Sequence, residues 1–317
     1  MAELHRFMFD GLPVRGQLVR LGASWRELLS RRTHQPYAPP VRNLLGEMAA
    51  AGVLMQSNIK FNGALLLQMY GDGPVKLAVA EVRSDLSFRA TATVRGEVPD
   101  EARLEALLNA HGQGRCSITL DPSERLPGQQ PYQGVVPLHG DQREPLQQLA
   151  QVLEHYMLQS EQLDTRLVLA ADDQVAAGLL IQRMPAEGAA RMSGERNEDQ
   201  IGRNEDFNRI ARLAATLTRD ELLTLDADTV LRRLFWEEPL QRFEPRRPRF
   251  ACSCARERVR NMLRSLGADE VHGIIAERGE VEVGCEFCGQ QYRFDAVDVG
   301  EMFTPGRDQP ATPAPLQ

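Results

Sequence analysis

The sequence predicts an α+β fold: an N-terminal mixed sheet-and-helix domain (1–190), a polar loop and helical linker (191–249), a small C-terminal four-cysteine zinc domain (250–297) and a disordered tail (298–317). Three observations predict it. Apolar residues alternate at strand period through 59–94, recur at helix period in 40–57 and 207–235, and four cysteines crowd the last fifth of the 317 residues.

Ile59, Phe61, Leu65, Leu67 and Met69 alternate around the turn dipeptide Asn62-Gly63; after Gly71-Asp72-Gly73-Pro74 the stretches VKLAVAEV and SFRATATV resume that period. This predicts an antiparallel meander. RCSITL, YQGVV, TRLVLA and AAGLLIQ are shorter strand candidates. Val41, Leu44, Leu45, Met48 and Gly52 mark a helix over 40–57, and Leu146, Leu149, Leu153, Tyr156 and Met157 mark another over 142–158. The run 191–206 is almost wholly polar and reads as a boundary. Beyond it Phe207, Ile210, Ala214 and Leu217 form a helical stripe, Thr218 and Glu221 a capping box ahead of Leu222 and Leu223, and Val230, Leu231, Leu234 and Phe235 a third stripe. Helices so short need a neighbour to dock on, which makes the linker conditional. Three prolines and four arginines in 239–249 stop any helix, and a new module is expected from Phe250.

A formal charge of −7 argues against a protein devoted to the phosphate backbone. The only lysines, Lys60 and Lys76, do not follow a glycine, so no Walker A loop exists and no nucleotide is expected. His-Glu-x-x-His, Gly-x-Ser-x-Gly and Asp-Phe-Gly are absent, so no catalytic residue is assigned. Without a run of about 18 apolar residues or a secretory leader, a soluble, cytoplasmic chain away from membranes is expected.

Cys252-Ser-Cys254 and Cys285-Glu-Phe-Cys288-Gly289 are two close thiol pairs, the arrangement that builds a tetrahedral zinc site in one folding event. Val281 and Val283, then Tyr292 and Phe294, alternate as a hairpin whose turn is the second pair, with Gly289 permitting the tight backbone. Cys254 precedes a helix marked by Val259, Met262, Leu263 and Leu266 and stopped by Gly267; the helix N-terminus and Arg256, Arg258 and Arg260 favour a thiolate. An inert staple for a small module and a switch that releases its metal on oxidation are both consistent with this pattern. Cys116, in an apolar strand, is expected to be a buried core thiol, and His272 is superfluous once four thiolates close the tetrahedron.

With VRGQLVRL (14–21), KFNGALLLQMYGDGPVKLAV (60–79), YQGVV (132–136), HYMLQSEQLDTRL (155–167), RDELLTL (219–225) and the CSC and CEFCG pairs, the sequence resembles the redox-regulated heat-shock chaperones of the 33-kDa class over nearly its whole length. The resemblance does not extend to 191–205 or to the Pro-rich stretch after 303. It implies a non-enzymatic, ATP-independent holdase for unfolding proteins, with Cys252, Cys254, Cys285 and Cys288 holding one zinc when reduced. When oxidised they would form the disulfides Cys252-Cys254 and Cys285-Cys288, the linker would unfold, and the chain would form a homodimer. Phe207, Ile210, Leu217, Leu222 and Leu223 are the candidate client-binding residues.

Two rivals follow from the same cysteines. A nucleic-acid-binding zinc ribbon would use Arg246, Arg247, Arg249 and Arg256, yet 250–295 holds eight acidic residues against six arginines. A thiol-disulfide oxidoreductase would use Cys285 and Cys288, which lack a thioredoxin-like setting.

Overall fold

A computed structural model describes residues 2–32, 36–124, 130–184 and 201–304. The chain divides into two compact units, Met1–Cys252 and Ser253–Gln317. The first contains β1 (Glu3–Phe9), β2 (Val14–Arg20), α1 (Gly22–Ser30), α2 (Pro39–Asn58), β3 (Gly63–Tyr70), β4 (Val75–Arg83), β5 (Ser87–Val94), α3 (Leu104–Leu108), β6 (Arg115–Pro122), β7 (Tyr132–Pro137), α4 (Leu149–Glu161), β8 (Thr165–Ala171) and β9 (Ala176–Arg183). It continues through α5 (Glu205–Ala215), α6 (Arg219–Thr224), α7 (Ala227–Phe235), β10 (Leu240–Arg242) and β11 (Arg249–Phe250).

These strands form two sheets, a five-stranded one of order β10-β1-β2-β9-β8 and a six-stranded one of order β11-β5-β4-β3-β6-β7. The predicted meander is β3-β4-β5, antiparallel throughout. Helix α2 packs on strands of both sheets, so it is buried on nearly all sides. Two glycines allow that close approach: a Cβ on Gly46 would stand 2.4 Å from the Ala171 Cβ, and one on Gly52 would stand 2.8 Å from Val82 Cγ2. Sequence expectation and structure differ at residues 59–62, which precede β3 rather than alternate with it, and at 142–148, which form a loop ahead of α4.

The five-stranded sheet is apolar on both faces, and β9 is buried at every position. Its outer side chains Phe7, Phe9, Val14, Leu18, Leu179 and Ile181 form one cluster with the apolar stripes of α5, α6 and α7. The linker is therefore folded and docked. Its capping box forms as expected, the Thr218 side chain accepting from the Glu221 N–H while Glu221 reaches back to Thr218. After α7 the chain adds β10 antiparallel to β1 and β11 parallel to β5. Phe250 thus belongs to the first unit, and the expected module boundary moves to the Cys252–Ser253 bond because strand pairing carries the chain that far.

The second unit holds α8 (Arg256–Leu266), α9 (Ala268–Arg278), the hairpin β12 (Val281–Gly284) and β13 (Gln291–Phe294), and α10 (Ala296–Phe303). Leu263, Val271, Val281, Phe294, Val299 and Met302 form its core. Residues 298–303 are thus helix rather than tail, because Val299 and Met302 cover the hairpin and Asp295 caps the first turn. Most of the polar run 191–206 and the tail beyond 304 lie outside the described residues. Among the described residues no helix is long and apolar enough to cross a membrane.

Glu47 on α2 is one of the shifted groups of the first unit. Burial pushes its carboxyl up to about 8, while the positive charge of Arg219 opposes the shift. A carboxyl whose folded pKa is raised stabilises the fold below its unfolded value and loses that contribution as pH rises through the folded one. Stability of the first unit is expected to fall between about pH 5 and pH 8, and Glu47→Gln to flatten that slope in chemical denaturation measured across the range. An unchanged slope in the variant would remove Glu47 as its source.

Candidate metal centre

Four sulfurs converge. The Sγ atoms of Cys252, Cys254, Cys285 and Cys288 all lie within 4.8 Å of one another, with Cys254 and Cys288 at 3.3 Å. None of the four is in a disulfide. A tetrahedral zinc with bonds of about 2.3 Å sets its sulfurs roughly 3.8 Å apart, whereas a disulfide brings two sulfurs to about 2.05 Å. The donor set fits a soft, tetrahedral divalent ion bound in the reduced state.

Local structure brings each thiol there. The hairpin pairs Val281 with Phe294 and Val283 with Tyr292, so its turn presents Cys285 and Cys288. The knuckle closes with Gly289 N–H donating to Cys285 C=O at 2.7 Å and Cys285 N–H to Gln290 C=O at 2.9 Å. Gly289 sits at φ +70°, the left-handed conformation its missing Cβ makes inexpensive. Cys254 stands just ahead of α8, whose stop at Gly267 is as expected. Cys252 lies two residues beyond β11, where Arg249 N–H donates to Leu86 C=O and Ala251 N–H to Phe88 C=O.

Two contacts were not visible in the sequence. The Tyr292 hydroxyl hydrogen-bonds to Cys254, and the neighbouring thiols push that phenol's pKa up. Arg89, which pairs with buried Glu81, also hydrogen-bonds to Cys252. Both partners are distant in sequence, and only the register of β13 and β5 places them. Of the arginines expected to offset thiolate charge, Arg256 pairs with Asp298 at 2.7 Å and lies over the Phe294 ring, and Arg260 faces Glu257 and Glu301. Arg258 donates to the Ser253 hydroxyl at 3.0 Å. His272 is exposed, stacks near Phe303 and is not part of the sulfur cluster.

Cys116 lies fully buried on β6, and burial pushes its thiol up to about 12. It is neither a ligand nor a reactive thiolate. Phe207, Ile210, Leu217, Leu222 and Leu223 are all buried in the docked linker, each 8% exposed or less.

Cys116→Ser is expected to keep the full metal content, measured by elemental analysis. Cys285→Ser should lose tight binding and leave 256–303 poorly protected from amide exchange, since so small a core depends on its metal. A metal-free Cys285→Ser protein with wild-type protection there would contradict this.

Comparison with known proteins places the chain. Residues 2–295 match the family model described as Hsp33 protein. A 33 kDa chaperonin of Chromobacterium violaceum is 46% identical over 95% of this chain and 93% of its own length. One of Neisseria meningitidis is 42% identical over 94% of this chain and 90% of its own. The crystal structure of the 33 kDa chaperonin of Thermotoga maritima, at 22% identity, superposes with a TM-score of 0.72 over 95% of this chain and 97% of that one, which supports the fold. From the matched residues and these relatives together, the chain belongs to the Hsp33 family of chaperones.

Proposed function

We propose that the protein is a redox-regulated, ATP-independent holdase whose four clustered thiolates hold one zinc ion in the resting state. The observation that carries this reading is the pairing of four clustered cysteine sulfurs with an apolar interface between the short linker helices and the five-stranded sheet. Cys252, Cys254, Cys285 and Cys288 would be the ligands, and zinc would supply folding energy to a unit in which, among the described residues, six apolar side chains aside from Cys288 are buried.

Peroxide converts each thiolate pair to a disulfide, two electrons passing to one peroxide, which leaves as two waters with protons taken from solvent. By family resemblance the pairs are Cys252 with Cys254 and Cys285 with Cys288. Each disulfide removes two sulfurs from the ligand set, so the metal-dependent fold loses its support. Helices α5, α6 and α7 are too short to persist undocked. Their release would bare Phe207, Ile210, Leu217, Leu222 and Leu223 together with the sheet face beneath, an apolar surface suited to unfolding clients. The oxidised form would dimerise, and the cytoplasm, where thiols stay reduced until stress, is the fitting compartment.

The test follows light scattering of a heat-denatured client, zinc release and amide exchange together, without ATP, before and after peroxide. Aggregation suppression should appear with zinc loss and with exchange rising across 206–295 while β3–β5 stay protected. Suppression by oxidised protein whose 206–236 segment remains as protected as in the reduced form would sink the unmasking mechanism. Salt-dependent nucleic-acid binding or dithiol turnover in the same samples would favour the zinc-ribbon or oxidoreductase alternatives.

A further inference from the structure

We propose that Arg20 is the latch that keeps the linker docked in the resting protein; the proposal rests on the linker reading above. On β2, Val14 and Leu18 lie in the apolar cluster under α5–α7, and Arg20 continues their alternation on the same face. Its guanidinium forks to the end of α6. Nη1 donates to the Leu222 carbonyl and Nη2 to the Leu223 carbonyl, the latter at 2.8 Å.

Those carbonyls are among the acceptors that a helix C-terminus leaves without intrahelical partners, and they carry the negative end of the helix dipole. Glu3, Asp172 and Asp226 add negative charge around the same guanidinium, offsetting the cost of its partial burial. A planar, permanently charged fork matches this pair of acceptors, which a lysine point charge does not.

The helix is gripped from its other end as well. Arg219, its first residue, donates to the Ala171 carbonyl at the end of β8, at 2.5 Å. Glu221, already engaged in the capping box, forms an ion pair with Arg233 of α7 at 2.5 Å. Six residues of helix have no independent stability, so α6 stays only while these grips and its buried leucines hold. Loss of the Arg20 fork therefore loosens α6, and α7 with it, while every cysteine is untouched. Arg20 is a positioning residue for the linker and sets how readily it opens.

The experiment uses full-length, reduced, zinc-loaded protein as wild type, Arg20→Gln, Arg20→Lys and Arg219→Gln, with hydrogen exchange read by mass spectrometry and zinc measured on the same samples. Arg20→Gln should accelerate exchange across 219–235 by roughly tenfold or more, given the usual strength of charge-assisted hydrogen bonds. Arg20→Lys should accelerate it less, and Arg219→Gln should act on the same segment. Zinc content and the protection of β3–β5 should match wild type. Unchanged exchange at 219–235, acceleration spread equally over 63–94, or concurrent zinc loss would each overturn the latch. Client holding separates this from the reading beneath it. If oxidised wild type holds clients and reduced Arg20→Gln opens its linker without holding, the proposed client face fails and the latch stands.

Discussion

A sheet with two apolar faces must be covered twice, and most of the first unit follows from that constraint. Strand β9 is buried at all eight positions, a pattern that one covered face cannot produce. Helix α2 satisfies the inner face, where small residues at Gly46 and Ala49–Ala51 let it lie close against the strands. The outer face is left to helices of eleven, six and nine residues. These cannot hold themselves, and Phe7, Phe9 and Leu18 cannot stay dry without them. Cover and sheet are stable only together, which makes the arrangement an all-or-none element rather than a gradually yielding one.

The route of the chain ties that element to the sulfur cluster. Leaving α7, it pairs with β1 through β10, crosses Arg246, whose N–H and carbonyl both bond Leu4, and pairs with β5 through β11. Ser24 donates to the Pro248 carbonyl and Arg249 pairs with Asp85 along the way. Two residues after β11 comes Cys252. Fixing that thiol in a metal site therefore restrains the end of a segment whose other attachments are short strands and single side-chain bonds, each of which opens more easily than the central strands.

Much of this was legible in sequence where a single local cause decides the structure. The capping box of Thr218 and Glu221, the stop at Gly267, the knuckle at Gly289 and the alternation of β3–β5 are each set by a few adjacent residues, and each formed. Several elements that periodicity did not reveal are decided by distant partners. β10 and β11 are three and two residues long in a Pro- and Arg-rich stretch, and they are strands only because β1 and β5 offer open edges. α10 resembled a tail until the hairpin supplied a surface for Val299 and Met302. Within the site, the four cysteines announced themselves by spacing, whereas Tyr292 and Arg89 reach the sulfurs through strand register. Arg20 gave no local sign either, because its acceptors lie some two hundred residues away.

The two units differ in how much apolar core supports them. The large core around α2 draws on more than forty buried apolar residues, while among the described residues the second unit has six buried apolar side chains aside from Cys288. Small cores of that kind need a metal or a crosslink, so loss of a ligand acts there first. Chemical selectivity points the same way. Cys116 is sealed in β6 with its thiol pushed up to about 12, so oxidants meet almost no thiolate there. Three of the four clustered cysteines are only half-buried. Three of the four clustered cysteines thus lie in the unit with the smaller core, whereas Cys116 is sealed within the larger one.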